Sequence, residues 1–225
     1  MNACPTKIRL LDLFCCAGGA GRGYAMAGFE VTGVDIDPQP NYPFRFIQCD
    51  AIEYLYAISS EYDLIHGSPP CQGYSPHVTS RTSKWVTTRG KDEPRLIAAL
   101  RHAMIQSKKP YVIENVMGAR QELRANLILC GSMFGLPISR HRLFETSFPV
   151  IQPSHPRCSG IARRFAESRG WEYRDMTVTG KGRRAGTSAR WQEIMGLSGT
   201  MTQREIAESI PPAYTRYVAS QFLSQ

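Results

Sequence analysis

Short apolar runs alternate with turn-forming residues and with helical periodicities through the first half of the chain. Residues 8–14 (IRLLDLF) predict a buried strand that ends in a loop rich in Gly and Ala. Residues 20–28 predict a short helix, and residues 30–35 (EVTGVD) a second strand. Residues 44–49 predict a third strand and residues 51–58 a helix. A fourth strand over 63–66 ends at Gly67-Ser68-Pro69-Pro70. Within 94–108, Leu96, Ile97, Leu100, Ala103 and Met104 share one helical face. Residues 111–115 (YVIEN) predict a fifth strand. This β-α rhythm predicts an α/β fold with a mainly parallel sheet and helices on both faces. In such sheets functional groups gather beyond the carboxyl ends of the strands.

The second half reads differently. Residues 127–130 and 142–148 have strand character. Residues 149–190 are punctuated by Pro153, Pro156, Gly160, Gly170, Gly180, Gly182 and Gly186, which predicts an inserted loop-rich module. Thr202 and Glu205 have the spacing of a capping box. Pro211-Pro212 then breaks the chain and opens a last helix. The expected organisation is a core over 1–149, a small basic module over 150–190 and returning helices over 191–225.

Composition narrows the class. At 225 residues, with 42% apolar and 20% charged residues, the chain fits one folded domain rather than a disordered or collagen-like polymer. No apolar run approaches the roughly 18–20 residues that span a bilayer, so no membrane partner is expected. The segment MNACPTKIRLLDLF lacks a basic stretch followed by a long apolar one, and no signal peptide is expected. Seven cysteines, with Cys15 and Cys16 adjacent, argue for a reducing compartment. Nine basic residues against three acids lie between Val150 and Arg190, and they supply most of the net +8. A polyanion is the natural partner of such a segment; a solvated basic loop is the plainer alternative.

Four motifs bear chemistry. The loop in DLFCCAGGAGRG, followed by Asp35 at the end of the next strand, suits a nucleotide-like ligand: NAD, FAD or S-adenosylmethionine. A tight structural turn would look the same. In SPPCQGYS, two prolines stiffen the loop before Cys71. That arrangement fits a positioned nucleophile or a buried structural thiol. Glu114 and Asn115 close the fifth strand, where an acid can reach a ligand beside Cys71 or simply face solvent. Arg140 and Arg142, two apart on an extended segment, share a face. Cys130, His155 and Cys158 do not make a four-ligand zinc spacing, and no metal is expected.

Taken in order, these motifs resemble the cytosine-5 DNA methyltransferase family. DLFCCAGGAGRGY resembles its opening cofactor motif, VDID its ribose-binding strand end and SPPCQGYS its nucleophile loop. ENV resembles its acid motif, RHR its paired arginines and AESIPP its closing motif. The resemblance implies a Rossmann-like S-adenosylmethionine-dependent methyltransferase fold with 150–190 as a short target-recognition region. It implies transfer of a methyl group to carbon 5 of cytosine in double-stranded DNA, through a covalent Cys71 adduct on a flipped-out base. Glu114 would bind ring nitrogen 3 and the exocyclic amine, Arg142 the carbonyl oxygen, Arg140 the thiolate and Asn115 the loop. S-adenosylmethionine would lie against Phe14, Cys15, Ala17, Gly18, Gly19, Asp35, Ile36, Asp50, Ala51, Pro70 and Ser209.

Three positions depart from the family pattern: Cys16 and Ile138 stand where it usually has Gly and Gln, and Glu208 where it usually has Asn. The loop from Gln72 to Gly90, with Arg81, Lys84 and Arg89, is expected to close over Cys71. The short 150–190 region predicts a short or degenerate recognition sequence read mainly through phosphates. A monomer is expected, in the cytoplasm of a bacterial or phage-infected cell, associated with the nucleoid. A restriction-modification setting is an expectation of the family. A tRNA methyltransferase and a catalytically silent DNA-binding module are the alternatives.

Overall fold

A computed structural model describes residues 7–74, 94–176, 178 and 186–225. The strands are β1 (Arg9–Leu13), β2 (Glu30–Asp35), β3 (Arg45–Gln48), β4 (Leu64–Gly67), β5 (Tyr111–Val116), β6 (Leu127–Leu129) and β7 (Arg142–Thr146). They form one sheet in the order β3-β2-β1-β4-β5-β7-β6. The pairs among β1 to β5 are parallel, as the β-α rhythm predicts. β7 runs antiparallel between β5 and β6. The helices are α1 (Gly19–Met26), α2 (Ala51–Ile58), α3 (Ile97–Ser107), α4 (Ile161–Ser168), α5 (Ser188–Met195), α6 (Gln203–Glu208) and α7 (Pro212–Leu223).

Side chains alternate across each strand, so each face of the sheet builds its own core. Leu10, Leu64, Val112 and Phe144 pack with Tyr24 of α1 and with Tyr214 and Val218 of α7. Leu11, Leu13, Ile65, Ile113 and Leu143 pack with Leu55 of α2 and with Ile97 and Leu100 of α3. Helices α1 and α7 meet closely because Gly23 has no side chain. A Cβ there would lie 2.1 Å from both the Pro212 carbonyl oxygen and Thr215 Oγ1. Thr215 Oγ1 also donates to the Ala20 carbonyl at 2.8 Å, which ties the two helices together. Asp12 on β1 is buried. Its Oδ2 accepts from the Tyr42 hydroxyl at 3.0 Å, and its Oδ1 has no partner among the described residues. Burial pushes this carboxyl up to about 7.

Local signals set the helix ends. Asp50 caps α2 by accepting from the Ile52 and Glu53 amides. The capping box of Thr202 and Glu205 starts α6 as the spacing predicts. The segment read as loop-rich holds α4, and its Ala166, Met176 and Val178 pack against Trp191, Ile194, Met195 and Ile206. The limit drawn at residue 190 therefore falls inside α5 and inside one hydrophobic cluster.

Candidate active site

Strand order reverses beside β1, which pairs with β2 on one side and β4 on the other. A crevice opens beyond the carboxyl ends at such a point. Leu13 is level with Val34 and with Gly67. The loops after β1, β2 and β4 therefore start side by side, and Ser68 N donates to the Leu13 carbonyl at 3.2 Å.

The loop after β1 is tightly wound. Phe14, Cys16 and Gly18 have φ of 56°, 42° and 82°. A non-Gly residue in this left-handed region costs roughly 1–2 kcal/mol, so tertiary contacts must hold Phe14 and Cys16 there. Asp35 supplies one such contact. Its Oδ2 accepts from Cys16 N at 2.9 Å and its Oδ1 from Asp37 N at 3.1 Å. Each oxygen keeps a lone pair for a further donor. Ile36 beside it is 66% exposed, an apolar face at the crevice. Gly18 and Gly19 are required by packing: a Cβ on Gly18 would meet Pro43 and Tyr42, and one on Gly19 would lie 2.7 Å from Ser209 Cβ. Ala17 is buried against Ile138 and Ala207. Ser209 donates its hydroxyl to the Glu205 carbonyl at 2.7 Å. Ala51 is buried at the start of α2, and Asp50 there already uses Oδ1 as the helix cap.

The loop after β4 carries Pro70 and the half-buried Cys71. Asn115, buried at the end of β5, donates from Nδ2 to the Pro69 carbonyl at 2.9 Å. This bond fixes the backbone two residues before the thiol. Glu114 on the opposite face of β5 forms an ion pair with Arg142 Nε at 3.2 Å. Burial raises the Glu114 carboxyl above the ordinary glutamate range, against the opposing pull of Arg142, Ser68 and Arg140.

Arg140 is held by the chain's later segments. Its Nη2 donates to the Ala207 and Ser209 carbonyls at 2.5 and 2.9 Å, and Nη1 donates to the Val178 carbonyl at 3.3 Å. Its Nε is buried with no hydrogen-bond partner among the described residues. Burial and the neighbouring Arg142 pull this guanidinium down to about 9, and Cys71 lies close enough to oppose the shift. Arg140 thus remains a cation at neutral pH. The thiols of Cys15 and Cys16 are pushed well up by burial and by Asp35 and Asp12, so neither is poised as a thiolate.

A family model for C-5 cytosine-specific DNA methylase matches residues 8–129, more than half of the chain. The chain belongs to the C-5 cytosine-specific DNA methylase family. Type II methyltransferase M.AgeI of Thalassovita gelatinovora is 27% identical over 129 residues, covering 49% of this chain and 28% of that protein. Type II methyltransferase M.XorII of Xanthomonas oryzae pv. oryzae is 31% identical over 127 residues, covering 48% of this chain and 28% of that protein. The matched stretch is thus under a third of either relative. A solved E. coli protein, described as a DNA modification methyltransferase encoded within a prophage, superposes with a TM-score of 0.60 at 16% identity. That match covers 97% of this chain and 99% of the other. The fold is the Rossmann-like α/β fold of S-adenosylmethionine-dependent methyltransferases.

The departures from the methylase pattern find local accommodation. Cys16 takes the left-handed backbone that a glycine would adopt freely. Ile138 is buried in the apolar cluster with Met195 and Ala207. Glu208 pairs with Arg204 one turn earlier, at 2.9 Å.

Asp35, Cys71, Glu114 and Asn115 lie at or just beyond the ends of strands β2, β4 and β5, whereas Ser209 ends α6. Most of the loop expected to close over Cys71, including Arg81, Lys84 and Arg89, lies outside the described residues, as do Lys181, Arg183 and Arg184. The sequence reading missed a buried chain behind Glu114. Burial holds His66 neutral, with its titration down to about 3. His66 Nε2 lies 3.0 Å from Ser68 Oγ, and Ser68 favours the charged form of Glu114. His66 Nδ1 shares a hydrogen bond of 3.1 Å with the Tyr24 hydroxyl. A histidine inside an otherwise apolar strand was the available signal.

Proposed function

We propose that this methylase transfers a methyl group from S-adenosylmethionine to carbon 5 of cytosine in duplex DNA. One observation carries the reading: the buried Glu114–Arg142 pair and the Cys71 loop pinned by Asn115 converge at the crevice bordered by Asp35 and Ile36. The donor set fits the cofactor. Asp35 has lone pairs for the ribose hydroxyls, Ile36 offers an apolar face to the adenine, and Phe14 to Gly19 border the methionine end. When bound, S-adenosylmethionine supplies an electrophilic methyl group.

The protein's task is to make carbon 5 nucleophilic. The Cys71 thiolate adds to carbon 6, forming an S–C bond, and electron density moves to carbon 5. Glu114, its carboxyl raised by burial, hydrogen-bonds ring nitrogen 3 and helps neutralise the ring as the adduct forms. Arg142 holds the base's carbonyl oxygen while remaining paired with Glu114. Arg140, whose Nε has no hydrogen-bond partner among the described residues, favours the charged sulfur. After carbon 5 has gained its methyl group, it loses its proton to water, and the S–C bond breaks to return the thiolate. A target base must leave the stack to reach these groups, which costs roughly a few kcal/mol.

The test is transfer of labelled methyl groups to duplex DNA and, in parallel, to tRNA, followed by positional mapping. Labelled 5-methylcytosine in the duplex is expected. Label confined to tRNA, or no transfer to either, would overturn the reading. The same map tests the short recognition segment: a strict site of about six or more base pairs would contradict readout mainly through phosphates.

A further inference from the structure

Away from the crevice, four metal-binding side chains converge from three places in the chain. Cys130 follows β6 and is fully buried. His141 stands between Arg140 and Arg142. His155 and Cys158 lie on the segment that leads to α4. Their donor atoms all fall within 4.8 Å of one another. Cys158 Sγ is 3.4 Å from Cys130 Sγ, 2.9 Å from His155 Nε2 and 3.9 Å from His141 Nε2. The two imidazole rings stand at 78° to each other with centroids 5.1 Å apart. Spacing along the chain concealed the fourth donor, since His141 sits inside the paired-arginine motif.

These distances approximate the edges of a coordination tetrahedron. Bonds of about 2.3 Å to sulfur and about 2.0–2.1 Å to nitrogen place neighbouring ligand atoms roughly 3.4–3.8 Å apart. Two sulfurs and two nitrogens, with no carboxylate in the group, form a borderline-soft donor set that suits zinc. Ser132 stands behind the sulfurs, its Oγ 3.4 Å from Cys130 Sγ and 3.2 Å from Cys158 Sγ. Hydroxyl donors in that position steady bound thiolates. A disulfide would employ two of the four residues and give the imidazoles no part. Two thiolates also offset a divalent cation, so the site adds no net charge between two arginines.

The geometry points to a structural zinc site formed by Cys130, His141, His155 and Cys158, which clamps the start of the basic segment to the strand bearing the paired arginines. All four positions being filled by protein, the ion would hold structure rather than activate water. The His141 carbonyl also accepts from Arg142 Nη1 at 2.9 Å. Fixing His141 therefore fixes the turn that aims both guanidiniums.

The experiment is metal analysis of the full chain, purified without chelator and under reducing conditions, with cobalt(II) reconstitution as the spectroscopic probe. One zinc per chain is expected. The cobalt form should show the visible bands of a tetrahedral ion and a near-ultraviolet thiolate charge-transfer band. His155→Ala alters an exposed side chain and should leave the fold intact while weakening zinc binding about 100-fold or more. Cys158→Ser should abolish the charge-transfer contribution of that sulfur. Three results would overturn the site: no zinc and no cobalt spectrum in the wild-type chain; equal zinc content in wild type, His155→Ala and Cys158→Ser; or a Cys130–Cys158 disulfide in metal-free protein that resists reduction. None of these readouts depends on methyl transfer, so failure here would leave the proposed activity standing.

Discussion

Replacing Asp12 by Asn isolates a single buried titration. In the folded protein this carboxyl is raised from 3.8 to about 7, chiefly by burial. Between those values the folded chain keeps a proton that the unfolded chain has released. Stability from this group is therefore fully present below the unfolded value, falls as pH rises, and levels off above the folded value. At about 1.4 kcal/mol per pH unit, wild type should lose about 3 kcal/mol from this source between pH 5 and pH 8. The Asp12→Asn protein has no such dependence. Its amide nitrogen would replace the unpartnered Oδ1, at a cost of roughly 1–3 kcal/mol, but that cost does not vary with pH and cancels when two pH values are compared. Urea unfolding of both proteins at pH 5 and pH 8 measures the difference directly. The stability of the variant relative to wild type should rise by about 3 kcal/mol from the lower pH to the higher. A difference that stays constant, or a variant that loses stability relative to wild type as pH rises, would refute the burial argument.

Other perturbations address the chemistry and the packing. Cys71→Ala should abolish methyl transfer and covalent trapping on 5-fluorocytosine DNA while leaving DNA affinity nearly unchanged by filter binding; retained turnover would end the adduct mechanism. Glu114→Gln keeps the side chain's shape but removes its proton donor, and single-turnover kinetics should show a loss of about 10²–10⁴-fold, with circular dichroism confirming the fold. Gly23→Ala should destabilise the protein by roughly 1–3 kcal/mol in urea titration, because the new methyl group meets Pro212 and Thr215; an unchanged midpoint would mean the two helices separate freely.

Much of the sheet was legible because its strands are apolar runs closed by turn-formers. The run from Arg9 to Leu13, the EVTGVD segment and the YVIEN segment all lie where hydrophobic patterning placed them. The strands after residue 120 were legible as strands but not in their order, since nothing local says that β7 inserts between β5 and β6. Pairing across the sheet is decided by side chains far apart in sequence. The packing of the basic segment was not legible because Ala166, Met176 and Val178 find their partners in α5 and α6, beyond the segment itself. Motif order pointed to Cys71, Glu114 and the arginines. It could not show that Arg140 would be gripped by carbonyls of Ala207 and Ser209, because a backbone acceptor leaves no mark on residue identity. His141 was hidden differently: it lies between two arginines, and only the fold brings it to Cys130, His155 and Cys158.

The close seat of α7 on α1 has a consequence for biosynthesis. Nearly two hundred residues separate Gly23 from Thr215, and at about 5–20 residues per second the ribosome needs roughly 10–40 s to make them. Throughout that interval α1 emerges with its apolar side bare, exposed to chaperones or to neighbouring nascent chains. Overexpression at low temperature, where translation slows further, should therefore lengthen this vulnerable period rather than protect the protein.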